Sequence, residues 1–245
     1  MLFTSGQFIL FLAITVILYY LVPKKLQWIM LLIANAVFYF VAGIEGFIFI
    51  GATIISTYLI SLKIDKVNSD EKQQIKENKG VWSREEKKVY KEKMKKKRGR
   101  WLILGLVFNF GILAVLKYAN FVITNTNNIF FGGAEKLQLV DLFVPLGISF
   151  YTFQIMGYLI DLYYGKYKAE RNICKLALFT SFFPQLIQGP ISRFGDLSKT
   201  LYEEHPLDWS NIRLGLERIL GGYFKKLVIA DRMLIAVKAL IGNTE

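Results

Sequence analysis

The sequence predicts an all-α, polytopic integral membrane protein, and three observations carry that prediction. Of its 245 residues, 53% are hydrophobic and 15% aromatic, with a mean hydropathy of +0.36, a level soluble domains seldom reach. The apolar residues come in long runs rather than periodic stripes, the pattern of membrane spans. Most of the net charge of +12 is concentrated in one block, residues 63–100, which reads as a topology signal and not as a nucleic-acid surface. The single cysteine, Cys174, excludes an internal disulfide and a multi-cysteine metal site. The lone histidine, His205, excludes clustered-histidine metal chemistry from these residues.

Taken in order, the chain reads as one membrane domain. Phe8–Val22, extended back to about residue 3, forms a first span at 3–22. No basic region precedes it and no small-residue cleavage pattern follows, so a retained span is expected rather than a signal peptide. Pro23, Lys24 and Lys25 end it. A second span at 28–44 returns after a very short turn, with Trp28 and Tyr39 suited to interfacial anchoring. Gly43–Gly46 is a tight turn, and a third span follows at 46–62.

Residues 63–100 form a basic loop in which lysine and arginine outnumber acids by about two to one, expected on the cytoplasmic side and against anionic lipid. Glu85 to Lys95 suits an exposed helix with i,i+4 pairs. With this loop inside, Lys24 and Lys25 are inside too and the amino terminus is outside. A fourth span at 101–123 carries Asn109 and Lys117, and the TNTNN run with Gly132 and Gly133 makes a polar outer loop. The stretch 142–164 is unusually polar for a span, with Pro145, Gly147, Ser149, Tyr151, Thr152, Gln154 and Asp161, residues that suit close helix packing. Asp161 reads as an ion pair or helix-end residue near the cytoplasmic boundary, with Lys166, Lys168 and Arg171 following.

The sixth span, 174–191, stops being ordinary halfway through. Its end and the residues beyond read FFPQLIQGPISRF, from Phe182 to Phe194, with Pro184, Pro190, Gly189, Gln185, Gln188 and Arg193. Proline removes a backbone donor and clashes with the preceding turn, so a regular lipid-facing helix cannot continue undisturbed. Broken backbone at membrane depth survives where protein buries it or where it lines a wet cavity. Two readings stand: a kinked or re-entrant wall of a polar tunnel, or a proline-kinked helix with a snorkelling arginine. Gln185, Gln188 and Arg193 are the candidate tunnel-lining groups, shaped by Pro184, Gly189 and Pro190, with Asp161 and Tyr151 as further candidates. A polar connector with His205 follows, then a bend at Gly221–Gly222 inside an incomplete helical region, 211–241.

Three blocks together resemble a known family: PLGISFYTFQ with Tyr158–Asp161, SFFPQLIQGPI from Ser181 to Ile191, and GYFKKLVIADR from Gly222 to Arg232. The sequence resembles the bacterial membrane-bound O-acyltransferases, in the alginate O-acetylation and lipoteichoic-acid D-alanylation branch. That resemblance implies a helical bundle with a tunnel, and acyl transfer from a cytoplasmic thioester, acetyl-CoA or an acyl-carrier protein, to a cell-envelope polysaccharide hydroxyl. The partners expected are the bilayer, an acyl-carrier protein at the cytoplasmic face and an extracytoplasmic acetyltransferase, and neither a metal nor a bound cofactor is expected. It also implies a histidine general base in a tryptophan- and arginine-rich block after the KKLVIADR-like segment. No residue here matches that block, and His205, in an EEHPLDW connector, reads as a surface residue. The expectation is therefore an amino-terminal fragment, inactive alone, with the histidine beyond Glu245. A transporter subunit, built on the same broken-helix chemistry, and a non-catalytic scaffold remain as alternatives.

Overall fold

The computed structural model describes residues 4–132, 136–186 and 189–242. Every regular element among them is helical. The chain divides into two compact units, Lys25–Glu203 and, separately, Met1–Lys24 with Glu204–Glu245.

In the larger unit, α2 (Gln27–Ala42), α3 (Gly46–Glu77) and α4 (Arg84–Phe130) come first. Gly43 takes a left-handed φ of 136° at the end of α2 and turns the chain into α3. Three helical stretches, Lys24–Ala42, α3 and α4, are long and apolar enough to cross a membrane. α3 and α4 continue well past the point where hydropathy falls. α4 has 47 residues, roughly 70 Å at 1.5 Å per residue, more than twice a hydrocarbon core of about 30 Å. The basic block expected as a loop is therefore two helical extensions joined by a turn at 78–83. Neither contains a proline, and lysine, glutamate and glutamine all favour helix. A capping box starts α4: Ser83 Oγ accepts from Glu86 N at 3.2 Å, and Glu86 Oε2 accepts from Ser83 N at 2.8 Å. That backbone N–H holds the Glu86 carboxyl below its usual range.

The ion pair that ties this hairpin runs between helices. Arg98 on α4 meets Glu71 on α3 at 2.5 Å and donates to Asn68 Oδ1 at 3.1 Å, while Asn68 donates to the Leu162 carbonyl at 2.9 Å. The same guanidinium lies over the Tyr163 ring. One node thus fastens α3, α4 and α5 (Ile148–Tyr163) together. Further along, Thr53, Thr57 and Ser61 form a buried small-residue face on α3. Gly105 of α4 lets Ile60 and Leu159 pack onto its backbone, since a Cβ there would stand 2.8 Å from Leu159 Cδ1.

Two expectations about the outer segment change. The TNTNN run is not a loop but the last turns of α4. Asn125 and Thr126 donate to carbonyls one turn back, at 2.7 and 2.8 Å, so their polar groups do not unwind the helix. Residues 142–147 are not helical either. They belong to an irregular strip, 136–147, which two asparagines seven apart on α4 clamp at Leu137 and Val140. Asn120 donates to the Val140 carbonyl and accepts from Val140 N, both at 2.9 Å, and Asn127 does the same with Leu137 at 2.8 and 3.0 Å. Each side-chain amide substitutes for a neighbouring strand, which satisfies an otherwise unpaired backbone.

α6 (Ile173–Ser181), α7 (Phe183–Leu186) and α8 (Phe194–Tyr202) complete this unit. Its core gathers Ile64 of α3, Tyr158 and Leu162 of α5, Leu176 and Phe179 of α6, and Phe194 of α8. The Tyr158 and Phe194 rings are 4.6 Å apart, and Phe179 meets Phe194 edge-on at 5.0 Å.

The smaller unit contains α1 (Gly6–Leu21), capped by Ser5, and the run α9 (Trp209–Phe224) to α10 (Asp231–Gly242). The expected bend at Gly221–Gly222 is absent, because α9 runs through both glycines. The helix instead widens into a π-helical stretch at Lys225–Ala230. Lys226 and Asp231, five residues apart, form an ion pair across it, a spacing that suits the i→i+5 turn.

Candidate functional site

The broken segment sits where the sequence places it. α6 has nine residues, roughly 14 Å of helix and under half of a bilayer core. The chain leaves helical geometry at Phe182, resumes for the single turn of α7, and is irregular again at 189–193. Pro184 is the second residue of α7, where its missing N–H costs nothing.

A continuous helix would pair the Leu178 and Phe179 carbonyls with the amides of Phe182 and Phe183. The break removes both bonds, and two side-chain amides replace them. Asn35 of α2 donates to the Leu178 carbonyl at 3.5 Å and to Ser181 Oγ at 3.2 Å, and its Oδ1 accepts from Phe183 N at 3.1 Å. Gln154 of α5 donates to the Phe179 carbonyl at 3.1 Å. Asn35 is fully buried and Gln154 nearly so. The break is thus satisfied internally, as backbone away from water requires. Phe38 stacks against Phe183 beside it, ring centres 5.4 Å apart.

The start of α5 presses on the same turn. Gly147 adopts φ 72° as its N-cap, and a Cβ there would lie 2.6 Å from the Leu186 carbonyl oxygen. Only glycine meets both conditions. Tyr39 donates to the Leu146 carbonyl at 3.3 Å and steadies the approach.

Gln185 lies on α7 and donates to Ser192 Oγ at 2.8 Å, while its Oε1 is buried with no partner among the described residues. Gly189 packs back on Gln185, donating to its carbonyl at 3.0 Å, and a Cβ would stand 2.5 Å from Gln185 Cα. Pro190 is exposed in the irregular stretch. Tyr151 is fully buried on α5, and its hydroxyl likewise finds no partner among the described residues. Gln188 lies outside the described residues.

Asp161 and Arg193 belong to a second constellation, at the end of α5. Asp161 accepts from Lys166 Nζ at 2.6 Å and from the Tyr167 hydroxyl, so it is both ion-paired and at a helix end. A Schellman turn around Gly165 (φ 70°) brings this about: Gly165 N donates to the Leu162 carbonyl at 2.9 Å, and Lys166 N to that of Asp161 at 3.1 Å. Arg193, exposed at the N-cap of α8, acts electrostatically on both Asp161 and Tyr167. Burial, and then the Asp161 carboxylate, push the Tyr167 phenol above its usual value.

His205 is half-buried in the irregular connector before α9, and Cys174 is exposed in the first turn of α6. Asn35 was not among the sequence-derived candidates. The available signal was a lone amide in the apolar run WIMLLIANAVFYF, since a polar side chain in a span needs a reason.

Comparison with known proteins finds homologues along nearly the whole chain. A probable alginate O-acetylase of Pseudomonas aeruginosa is 34% identical over 95% of this chain, and one of Pseudomonas syringae pv. tomato is 35% identical over 96%. The chain is a homologue of the alginate O-acetylases of the membrane-bound O-acyltransferase family. A peptidoglycan O-acetyltransferase of Helicobacter pylori is also similar, 36% identical over 54% of the chain and 29% of that protein. The chain spans about 40% of the length of the alginate O-acetylases it matches. No family model and no solved structure matches it. Homology to the alginate O-acetylases and the long apolar helices make it a membrane protein.

Proposed function

We propose that the protein is an O-acyltransferase of the cell envelope, transferring an acetyl group from a cytoplasmic thioester to a polysaccharide hydroxyl. The observation that supports this reading best is similarity over 95% of the chain to alginate O-acetylases. The acceptor oxygen would attack the thioester carbonyl, the C–S bond would break, and the hydroxyl proton would pass to a base before reaching the departing thiolate. No residue of this sequence matches the histidine that the resemblance assigns to that step. The residues described here would instead build the wall: α6 and α7 broken at Phe182, Gln185 Oε1 and the Tyr151 hydroxyl as open polar groups, and Gly147 and Gly189 holding the turn closed. Acetyl-CoA or an acyl-carrier protein would supply the acyl group, and an extracytoplasmic acetyltransferase could pass it on.

Deleting the gene is expected to remove base-labile acetyl esters from the envelope polysaccharide. The full-length protein should restore them. A Gln185→Leu form, present at the same level, should restore them about tenfold less well, the loss of one oriented hydrogen bond. Unchanged ester content in the deletion would overturn the reading, and export defects without ester loss would point to a transporter.

We further propose that residues 63–100 are cytoplasmic and the amino terminus external. In a Cys174→Ser background, Val81→Cys at the hairpin turn should react with an impermeant maleimide only in opened cells. Asn128→Cys at the far end of α4 should react in intact ones. The opposite pattern would reverse the topology.

A further inference from the structure

α3 carries one stripe that changes character along its length. Ile48, Ile55, Leu59, Leu62, Lys66 and Ser69 are spaced by seven, four, three, four and three residues, so they share one helix face. Ile48, Ile55 and Leu59 are exposed apolar side chains at 73%, 53% and 55%. The stripe then runs into a cleft of 420 Å³ lined by Tyr58, Leu62, Asp65, Lys66, Ser69 and Arg171. The far wall of that cleft is built rather than incidental. The Tyr58 hydroxyl donates to the Arg171 carbonyl at 2.7 Å, and Glu170 N donates to the Tyr158 hydroxyl at 2.9 Å.

Asp65 is the unexplained group. It is 7% exposed, and among the described residues neither a hydrogen bond nor an ion pair reaches its carboxylate. Its carboxylate faces the cleft with no partner among the described residues, so the cleft offers a site for a cationic donor. Lys66 cannot serve, because adjacent helix residues do not face each other. Lys66 and Arg171 are exposed and offer two cations to an anion on the open side of the cleft.

We propose that this cleft is a headgroup site for a phospholipid bearing both a phosphodiester and a primary ammonium. The ammonium meets Asp65, the phosphodiester meets Lys66 and Arg171 with Ser69 beside them, and the acyl chains lie along Leu59, Ile55 and Ile48. One ligand then satisfies three features at once: an unpaired carboxylate in the cleft wall, two flanking cations and an exposed apolar track leading away from them. The position agrees, since Leu62 and Lys63 are where α3 passes from apolar to charged. The proposal is independent of acyl transfer and stands or falls without it.

The test is native mass spectrometry of the full-length protein released from nanodiscs holding equal phosphatidylethanolamine, phosphatidylcholine and phosphatidylglycerol. Phosphatidylethanolamine should be retained about tenfold over phosphatidylcholine, whose quaternary nitrogen has no N–H to donate. Asp65→Asn, nearly isosteric, should abolish that preference. Arg171→Gln, on an exposed side chain, should weaken retention of every phospholipid and gives a reading independent of any folding defect in Asp65→Asn. Equal retention of the three lipids by the wild type, or an unchanged preference in Asp65→Asn, would overturn the site. Displacement of the bound lipid by coenzyme A would also overturn it, by showing that the cleft takes a soluble phosphate.

Discussion

Replacing Asn35 with leucine is expected to cost about 2–5 kcal/mol of stability, the penalty for leaving two buried backbone groups without partners. The substitution conserves bulk and adds hydrophobicity, so a packing argument alone predicts little change in a membrane helix. The hydrogen-bond argument predicts the reverse, because Asn35 supplies the acceptor for Phe183 N and a donor for the Leu178 carbonyl where α6 and α7 part. Side-chain hydrogen bonds between membrane helices are often worth under 1 kcal/mol, since alternative partners are at hand. Here the partners are main-chain atoms at a break, with no next turn to receive them. Gln154→Leu makes the comparison quantitative. It removes one donor from the Phe179 carbonyl, and a carbonyl tolerates loss of one bond better than an N–H does, so about 1 kcal/mol is expected. Unfolding of both variants in detergent measures the difference. Equal losses would show that Phe183 N is not held by Asn35.

Gly147→Ala is expected to destabilise by about 3 kcal/mol, combining a left-handed residue at about 1–2 kcal/mol with a collision against main chain. The φ of 72° disfavours any side chain, and the Leu186 oxygen at 2.6 Å from the new Cβ is backbone that cannot rotate away. α7 would have to move, and Gln185 with it, so acetyl-ester formation should fall further than stability does. Gly157→Ala on the same helix is the control. Nothing lies within 4 Å of a Cβ at that position, and exchanging a helical glycine for alanine there should gain up to about 1 kcal/mol. A Gly147→Ala protein as stable and as active as the wild type would remove α7 from the proposed wall.

Much of this was legible in the sequence. The membrane character follows from long apolar runs, and the break near Phe182 follows from two prolines and a glycine within a few turns. The two glutamines stand out in the sequence because amides do not belong on a lipid-facing helix. Asp161 was read as an ion-pair or helix-end residue from its place before Lys166, and Lys166 is its partner. Other boundaries were misread for one reason. Hydropathy reports what surrounds a helix, not whether the helix continues, so α3 and α4 were cut at Leu62 and Trp101 although both run on. The TNTNN run failed similarly, because polar residues that bond back to their own helix leave it intact.

Proline, glycine and apolar length are local properties, and they alone determined that this chain enters a membrane and that its sixth apolar segment breaks. How the break is made tolerable was decided by the tertiary structure. Asn35 is 143 residues from the carbonyl it caps, Gln154 is 25 residues from its own, and Asp65 gains meaning only when Arg171 is brought across from it. An amide or a carboxylate has the same chemistry wherever it stands in a chain. Which backbone group it satisfies, or which ligand it is left to seek, depends on neighbours that only packing supplies.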